Sequence, residues 1–576
     1  MKKLIALTLV IITLFSLVSC NKPGNTNENT DGSEIAVPSS GTSEEPSGTP
    51  SSDVTDPSSS SVSSSQNQSS NQNPSSSVPA SSQANTTDSS SDNTPQYIPG
   101  KEMEICKDAE TDYVIVYSSS ASEDIASIAR TLKTAFRSKQ NVSIPLVPDA
   151  KEEPVAHEII LGETNRCEGL AAKNKLGKDD YKIYFENGKI YIIGGSEKAT
   201  KNAATYFAKN VLTSGSSYMI NENFVYTYKH TYPITSTKIA NYDMSSFKIV
   251  TASEDRHSKA AADYLNAYLS ENCGFSLAIT EDTSAKSDFE IRIGKTTRTG
   301  AIADAEINVN VENNGKALNI ISGKTETALS AVKFFINKYL TTTGTVTLST
   351  SLNTKATSVF LTKTGDVRIT CAGDSLTAGA QSSNVAKLAY PPVLDSMLPQ
   401  NFECKNFGVG GTTMTIDVLE TANGATFMSY YATAQYKAGK QFNPTIVLLM
   451  LGCNDSVPLV NNAIGDADRT SRFITSGKTM INEYKAVSSN PTVFLMTPVQ
   501  VSHAQAQASR KNNLDNNYLP LVKQLASECN VPLLDIYQRT ADLDELYADG
   551  LHFNDDGYRY LAGIVLDELV SYYGFN

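Results

Sequence analysis

Five short apolar runs recur through the C-terminal part of this chain, and helix-like stretches separate them. The runs cover residues 367–371, 402–407, 445–451, 492–496 and 531–536. Alternation of this kind is typical of an α/β domain in which helices cover both faces of a parallel sheet through right-handed crossovers. We therefore predict a doubly wound parallel sheet over residues 359–576.

One serine stands at the end of the first run. Gly373, Asp374 and Ser375 follow it, and the residues after them can open a helix, which indicates a strand-to-helix turn that presents Ser375. Gly-Asp-Ser also occurs in ordinary turns, where Asp and Ser side chains bond nearby backbone groups. Gly411 and Asn454 also follow predicted strand ends, where ligands of such sheets bind. We therefore take Ser375 as the candidate nucleophile.

A serine nucleophile needs a base with a pKa near neutrality, which points to histidine. The chain has five histidines, and only His503 and His552 lie in the predicted α/β domain. His503 has no acidic residue near it in sequence, whereas Asp549 precedes His552 by three positions. One turn can place that carboxylate against the imidazole and stabilise the imidazolium, so Asp549 and His552 are the candidate acid and base.

Four blocks in this region together resemble the SGNH (GDSL-type) hydrolase family. They are Gly373-Asp374-Ser375, the segment from Asn406 to Gly411, Gly452-Cys453-Asn454-Asp455, and Asp549-Gly550-Leu551-His552. The resemblance implies that the doubly wound sheet is flavodoxin-like. It also implies an esterase whose oxyanion hole consists of the Ser375 N–H, the Gly411 N–H and the Asn454 side-chain amide. Gly410 is an adjacent alternative to Gly411.

Two acidic residues and two cysteines of these blocks have structural interpretations. We expect Asp374 and Asp455 to cap helices or hold loops, with Asp374 stabilising the serine turn. Cys371 and Cys453 are expected to be small core residues beside the site.

The N-terminus indicates export. Lys2 and Lys3 precede an apolar run, and Leu17-Val18-Ser19-Cys20 closes it, so residues 1–20 are predicted to be a signal peptide. The closing residues resemble a bacterial lipobox, which implies that Cys20 carries lipid and that the protein is an extracytoplasmic, membrane-anchored lipoprotein on the bacterial surface. Cleavage elsewhere, with Cys20 incidental, is the alternative.

Residues 21–98 are dominated by Ser, Thr, Pro, Asn, Gly and Gln. Such a segment buries too little apolar surface to offset the entropy of ordering, so we predict a disordered linker. As a flexible coil it would span roughly 50 Å.

Two similar segments follow the linker, at residues 99–232 and 233–358. Glu158-Ile159-Ile160-Leu161-Gly162 and Arg166 of the first match Glu290-Ile291-Arg292-Ile293-Gly294 and Arg298 of the second. We interpret the segments as duplicated α+β domains, and each resembles the small domain that precedes the catalytic barrel of several glycoside hydrolases. Arg166 and Arg298 could grip a sugar or a carboxylate, but a structural ion pair is the favoured interpretation.

Composition excludes several classes of function. The formal net charge is −13 and the basic residues are scattered, so no nucleic-acid partner is expected. Apart from Cys20, the seven cysteines are spaced neither as a disulfide framework nor as a metal site. We predict no metal and no cofactor.

The sequence therefore predicts a cell-surface serine esterase. By the family resemblance and the expected setting, its substrate would be an acetylated polysaccharide from which it removes O-acetyl groups. A lipase or lysophospholipase is an alternative. It would need a long apolar groove, whereas residues 412–442 and 456–470, which would line the groove, are polar and small. A surface glycan-binding protein without activity is another. The sequence leaves the oligomeric state open.

Overall fold

The C-terminal domain is built on a parallel sheet, as predicted. The computed structural model describes residues 99–422, 425–457, 466–504 and 507–576, so the predicted signal peptide, Cys20 and the linker lie outside the described residues. In spatial order the strands of this sheet are Phe402–Asn406, Val367–Gly373, Ile446–Met450, Thr492–Met496 and Leu533–Leu534. All neighbouring pairs are parallel. This order, 2-1-3-4-5 in chain sequence, is the flavodoxin-like arrangement and confirms the predicted fold class.

Helices cover both faces of this sheet, and a small second sheet follows its second strand. The central strand Ile446–Met450 is buried along its whole length, which explains its continuous apolar sequence. The small sheet contains Thr412–Thr413, Ala425–Ser429 and Leu419–Ala422. The α-helices of the domain are Ser375–Ala378, Val385–Leu388, Tyr390–Met397, Ala434–Gln441, Asp466–Lys485, Ala508–Asn513, Leu519–Glu528, Ile536–Arg539 and Asp555–Tyr573.

The apolar pattern of the last helix begins at residue 558, but the helix starts three residues earlier, at Asp555. The Asn554 side chain caps it by accepting a hydrogen bond of 2.9 Å from the Gly557 N–H. Asp555 and Asp556 occupy its first turn, where negative charge is favourable. A polar cap and an acidic first turn therefore extend the helix beyond its apolar face.

The two segments before this domain contain mixed six-stranded sheets with the same strand order and directions. The first sheet runs Leu146–Pro148, Val114–Tyr117, Glu158–Leu161, Lys189–Gly194, Tyr181–Glu186 and Val225–Tyr228, with helices Glu123–Gln140, Leu170–Lys173 and Glu197–Tyr206. The second runs Ile279–Glu281, Lys248–Thr251, Glu290–Ile293, Ala317–Ser322, Glu306–Val311 and Asn353–Thr357, with helices Arg256–Cys273 and Ala328–Tyr339. In each sheet the first four strands are parallel, the fifth is antiparallel to them, and the sixth is antiparallel to the fifth and so runs in the same direction as the first four.

Smaller pairings accompany both sheets. In the first segment Glu102–Lys107 pairs with Ser217–Asn221. In the second segment Ile234–Ile239 pairs with Tyr242–Asp243 and with Gly344–Leu348. None of the helices in the described parts of the chain combines the length and apolar content that a membrane span requires.

The two arginines of the matching segments form buried ion pairs, as the structural interpretation predicted. Arg166 pairs with Glu158, and Arg298 pairs with Glu290. Both glutamates are almost fully buried. Each arginine also donates to backbone carbonyls of the preceding loop, so its guanidinium is occupied inside its own segment.

A buried polar contact joins the second segment to the C-terminal domain, and the sequence did not predict it. Asp567, on helix Asp555–Tyr573, accepts hydrogen bonds from the Ser330 N–H at 2.9 Å and the Ser330 hydroxyl at 2.7 Å. Its other oxygen accepts from Arg539 at 2.9 Å. The chain terminus adds a backbone exchange between Asn576 and Thr357. The last helix therefore packs on the second segment as well as on the sheet.

His257 lies in the same interface. Its ring packs 4.8 Å from that of Tyr560 and against Gly563, where an added Cβ would come within 2.5 Å of the imidazole. Its Nδ1 is buried, and no group in the described parts of the chain bonds it. Burial, assisted by the positive charge of Arg539, lowers the pKa of His257 to about 3. The interface therefore holds a neutral imidazole.

The stability of this interface should depend on pH. Below about pH 6.5 the unfolded chain binds a proton at His257 that the folded chain does not bind until about pH 3. The free energy of unfolding should therefore fall as pH decreases across this window, by up to about 1.4 kcal/mol per pH unit. Urea unfolding of the wild type and of His257→Phe at a series of pH values measures how much of this pH dependence comes from His257. Equal pH slopes in the two proteins would rule out this contribution.

Candidate active site

Ser375 lies at the turn that the sequence predicted. It is the first residue of helix Ser375–Ala378, directly after strand Val367–Gly373, and Asp374 caps the helix by accepting from the Leu376 N–H at 3.0 Å. A Cβ at Gly373 would lie 2.3 Å from the Thr377 hydroxyl oxygen and 2.5 Å from the Met450 carbonyl oxygen. Only glycine therefore allows strand and helix to approach this closely, and the turn leaves Ser375 half-buried at the sheet edge.

Asp549 and His552 form a compact loop before the last helix. One oxygen of Asp549 accepts from the N–H groups of Leu551 and His552, at 3.0 and 2.7 Å. The other oxygen lies 2.8 Å from Nδ1 of His552. The Ala548 N–H closes the loop onto the His552 carbonyl oxygen at 2.8 Å. A three-residue spacing thus places carboxylate and imidazole together through local hydrogen bonds.

The structure brings the three candidate residues into one hydrogen-bonded chain. Nε2 of His552 lies 2.9 Å from Oγ of Ser375, although 177 positions separate the two residues. With Asp549 on Nδ1, the imidazole is oriented so that Nε2 can accept the serine proton. This arrangement can activate the hydroxyl as a nucleophile and return the proton to a leaving group.

The charge of Asp549 is maintained by its donors. Burial alone would raise the pKa of its carboxyl group, but hydrogen bonds from the His552 ring, the His552 N–H and the Leu551 N–H lower it below its ordinary value. Asp549 is therefore a carboxylate at neutral pH and can stabilise an imidazolium on His552.

The candidate oxyanion donors lie at the neighbouring strand ends. The Asn454 side chain donates one hydrogen bond, of 3.0 Å, to the Thr412 carbonyl oxygen. Its amide has a second N–H that can serve a ligand. Within the described residues, the N–H groups of Ser375 and Gly411 donate to no other group of the protein. Gly410, the alternative to Gly411, lies beside the nucleophile, since a Cβ built on it would lie 3.8 Å from Cβ of Ser375.

Asp455 holds two of these loops together, as predicted. It accepts from the N–H groups of Met414 and Thr415 at 2.8 and 3.0 Å and from the Thr415 hydroxyl at 2.7 Å. Because Asp455 follows Asn454 and Met414 follows the Gly411 turn, these bonds fix the two candidate donors relative to each other. Burial raises the pKa of Asp455, and it raises that of Asp374 to about 7.

The remaining candidates are not part of this arrangement. His503 is half exposed and lies near Asp542 and Asp544, which are distant from it in sequence. Cys371 and Cys453 are buried, as predicted. Burial raises the pKa of the Cys453 thiol to about 12, so it remains protonated and is no nucleophile.

Sequence reasoning missed one contact at the site. The Gln381 side chain donates a hydrogen bond of 3.3 Å to the Asp549 oxygen that faces His552. Nothing in the local sequence around Gln381 marks it, because the two residues are 168 positions apart and the contact depends on the tertiary fold.

Comparisons with known proteins concern this domain. Residues 371–560 match the model of the GDSL-like Lipase/Acylhydrolase family. An acetylxylan esterase of Xylanibacter ruminicola is 26% identical over 212 residues, which make up 34% of this chain and 42% of that protein. This chain thus spans less than half the length of that relative.

Two solved structures also match. The acetyl xylan esterase AlAXEase shares 19% identity, with 35% of this chain and 99% of that chain covered and a TM-score of 0.28. The acetylxylan esterase Axe2 from Geobacillus stearothermophilus shares 18% identity, with coverages of 36% and 95% and a TM-score of 0.27.

Proposed function

Because residues 371–560 form a GDSL-like lipase/acylhydrolase domain, we propose that this protein is a serine esterase that removes acetyl groups from acetylated polysaccharides. The observation that carries the proposal is the hydrogen-bonded chain from Ser375 through His552 to Asp549, with distances of 2.9 and 2.8 Å. A hydroxyl, an imidazole and a carboxylate in this order are the groups that acyl transfer to serine requires.

In the first half-reaction Ser375 Oγ attacks the acetyl carbonyl carbon while Nε2 of His552 takes the serine proton. Negative charge develops on the carbonyl oxygen, where the N–H groups of Ser375 and Gly411 and the Asn454 amide stabilise it. The intermediate then collapses as His552 donates the proton to the departing sugar hydroxyl. An acetyl-serine remains and the deacetylated sugar leaves.

In the second half-reaction a water molecule takes the place of the sugar. His552 removes a proton from the water, whose oxygen attacks the acetyl-serine carbon. The same donors stabilise the second tetrahedral intermediate, and the proton returns to Ser375 Oγ as acetate leaves. Asp549 stays ionised throughout and offsets the charge of the imidazolium in both steps.

The substrate class is supported by the acetylxylan esterase relative, which is 26% identical to this chain over 212 residues. A lipase would require an apolar groove for an acyl chain.

The location belongs to the same proposal. Residues 1–19 would be removed, Cys20 would become the first residue of the mature protein and carry the lipid anchor, and residues 21–98 would tether the enzyme outside the cell. The support is the order of charged, apolar and small residues before Cys20. Radiolabelled palmitate incorporated into the wild type and absent from Cys20→Ala tests this part.

A substrate panel tests the activity. We expect acetate release from acetylated xylo-oligosaccharides and from aryl acetates, with little turnover of long-chain aryl esters or lysophospholipids. Faster hydrolysis of the long-chain esters would favour a lipase. Binding of the oligosaccharides without release of acetate would favour a glycan-binding protein and would contradict the proposal.

A further inference from the structure

Residues 380–383, which follow Ser375, are hydrogen-bonded to the start of helix Asp555–Tyr573, which follows His552. The Tyr558 hydroxyl donates to the Ala380 carbonyl oxygen at 2.6 Å. Asp555 accepts from the Ser382 hydroxyl at 3.1 Å and from the N–H and hydroxyl of Ser383 at 2.9 and 2.6 Å. These bonds connect the two sides of the site independently of the contact between Ser375 and His552.

Gln381 lies between Ala380 and Ser382, which make these bonds, and its side chain reaches Asp549. Its amide nitrogen lies 3.3 Å from Oδ2 of Asp549, the same oxygen that faces Nδ1 of His552. Oδ1 of Asp549 is held by backbone N–H groups of its own loop. In the described parts of the chain, Gln381 is therefore the one side chain besides His552 that donates to Asp549.

The backbone of Gln381 is unusual for its residue type. Its φ is 69°, in the left-handed region that glycine adopts freely and that a residue with a long side chain rarely adopts. Such conformations persist where the surrounding contacts hold them, and they cluster at functional sites. The hydrogen bonds of residues 380, 382 and 383 with Tyr558 and Asp555 supply those contacts. The left-handed conformation directs the Gln381 amide toward Asp549.

We propose that Gln381 is a positioning residue for the Asp549–His552 pair. Its amide occupies the side of Oδ2 that the imidazole leaves open, so that the carboxylate keeps one orientation toward Nδ1 while about a third of the Asp549 side chain is open to solvent. The inference rests on the proposed function, because it assigns Gln381 a part in activating Ser375.

Three variants separate positioning from simple stabilisation. Gln381→Gly removes the donor and relieves the backbone, so the thermal midpoint should rise or stay unchanged while kcat falls about fivefold, on the scale of one hydrogen bond. Lys175→Gly is the matched control, because Lys175 is an exposed residue of the first segment with φ of 55°. It should shift the thermal midpoint similarly and leave kcat at the wild-type value.

The third variant, Gln381→Glu, keeps the shape and adds a negative charge beside Asp549. An added carboxylate favours the imidazolium over the neutral base, so the acid limb of the kcat/KM profile should move to higher pH. Asp374, Tyr558, Asp555 and Arg510 are the other titratable or charged groups around the pair, and all are unchanged in the variant. A displaced limb therefore reports the substituted side chain.

The readouts are kcat for an aryl acetate and the rate at which a fluorophosphonate phosphonylates Ser375 with release of fluoride. If the wild type does not react with the fluorophosphonate, the proposed nucleophile is wrong and the proposed function fails. If the wild type reacts and Gln381→Gly and Gln381→Glu match it in both rates and in pH profile, the positioning role is overturned. A fall in both rates for Gln381→Gly, without loss of thermal stability, supports it.

Discussion

Ser375→Ala is expected to lower kcat for an aryl acetate by about 10⁶-fold, with little change in stability. The variant removes the only atom that can form the acyl-enzyme in the proposed reaction, and in serine hydrolases such a loss leaves only the contribution of the oxyanion hole and of binding. Steady-state kinetics with purified protein measures the effect, and active-site titration of the wild type excludes a contaminating esterase.

Ser396→Ala serves as the matched control for this prediction. Ser396 lies on helix Tyr390–Met397 in the same domain, and its hydroxyl donates only to the Val393 carbonyl oxygen. It should keep wild-type kcat within a factor of about two. A Ser375→Ala protein that retains more than a tenth of the wild-type rate would remove Ser375 from the mechanism.

Asp567→Ala is expected to lower the free energy of unfolding by about 3–5 kcal/mol. Asp567 is fully buried, and its removal leaves the Arg539 guanidinium with one carboxylate, that of Glu568 at 2.8 Å, and the Ser330 N–H without its acceptor. The weaker compensation of a buried charge accounts for most of the loss. Urea unfolding, followed by intrinsic tyrosine fluorescence and by activity, measures it.

Asp556→Ala is the control on the same helix. Asp556 is largely exposed and pairs with Arg559 one turn later, so its loss should change the free energy of unfolding by less than about 1 kcal/mol. If Asp567→Ala and Asp556→Ala unfold at the same urea concentration, the buried contact does not stabilise the junction between the second segment and the C-terminal domain.

The sequence could predict those parts of the site whose geometry is set by residues close together in the chain or by their place at the end of a strand. Asp549 and His552 are three residues apart, and one loop with its own hydrogen bonds brings them together. Ser375, Gly411 and Asn454 each follow a strand, and a parallel sheet gathers all such positions at one edge. Strand order needed the family resemblance, because the alternation of apolar runs and helices fits more than one doubly wound order.

The parts that sequence could not predict depend on contacts between distant segments. Ser330 and Asp567 are 237 positions apart, and neither stands in a recognisable pattern. His503 gains two acidic neighbours through the fold that its own sequence surroundings do not show. The left-handed backbone of Gln381 also has no sequence signal, because glutamine carries no preference for that conformation.

The same distinction applies to the last helix. Its apolar pattern predicted a helix packed on the sheet, and the structure has one, but the pattern could not separate the residues that face the sheet from those that face the second segment. Gly563 and Asp567 lie among the apolar residues of that helix, and their contacts with His257 and Ser330 exist only because the second segment packs there.

The central claim is that an acetyl group passes from a sugar hydroxyl to Ser375 before it reaches water. Mass spectrometry of enzyme quenched in acid during turnover of acetylated xylo-oligosaccharides tests it most directly. We expect the peptide that contains Ser375 to carry one acetyl group, and the corresponding peptide of Ser375→Ala to carry none. Acetate release by the wild type with acetylation at another residue, or with no acetylated Ser375 peptide in wild-type enzyme quenched during its first turnovers, would contradict the account.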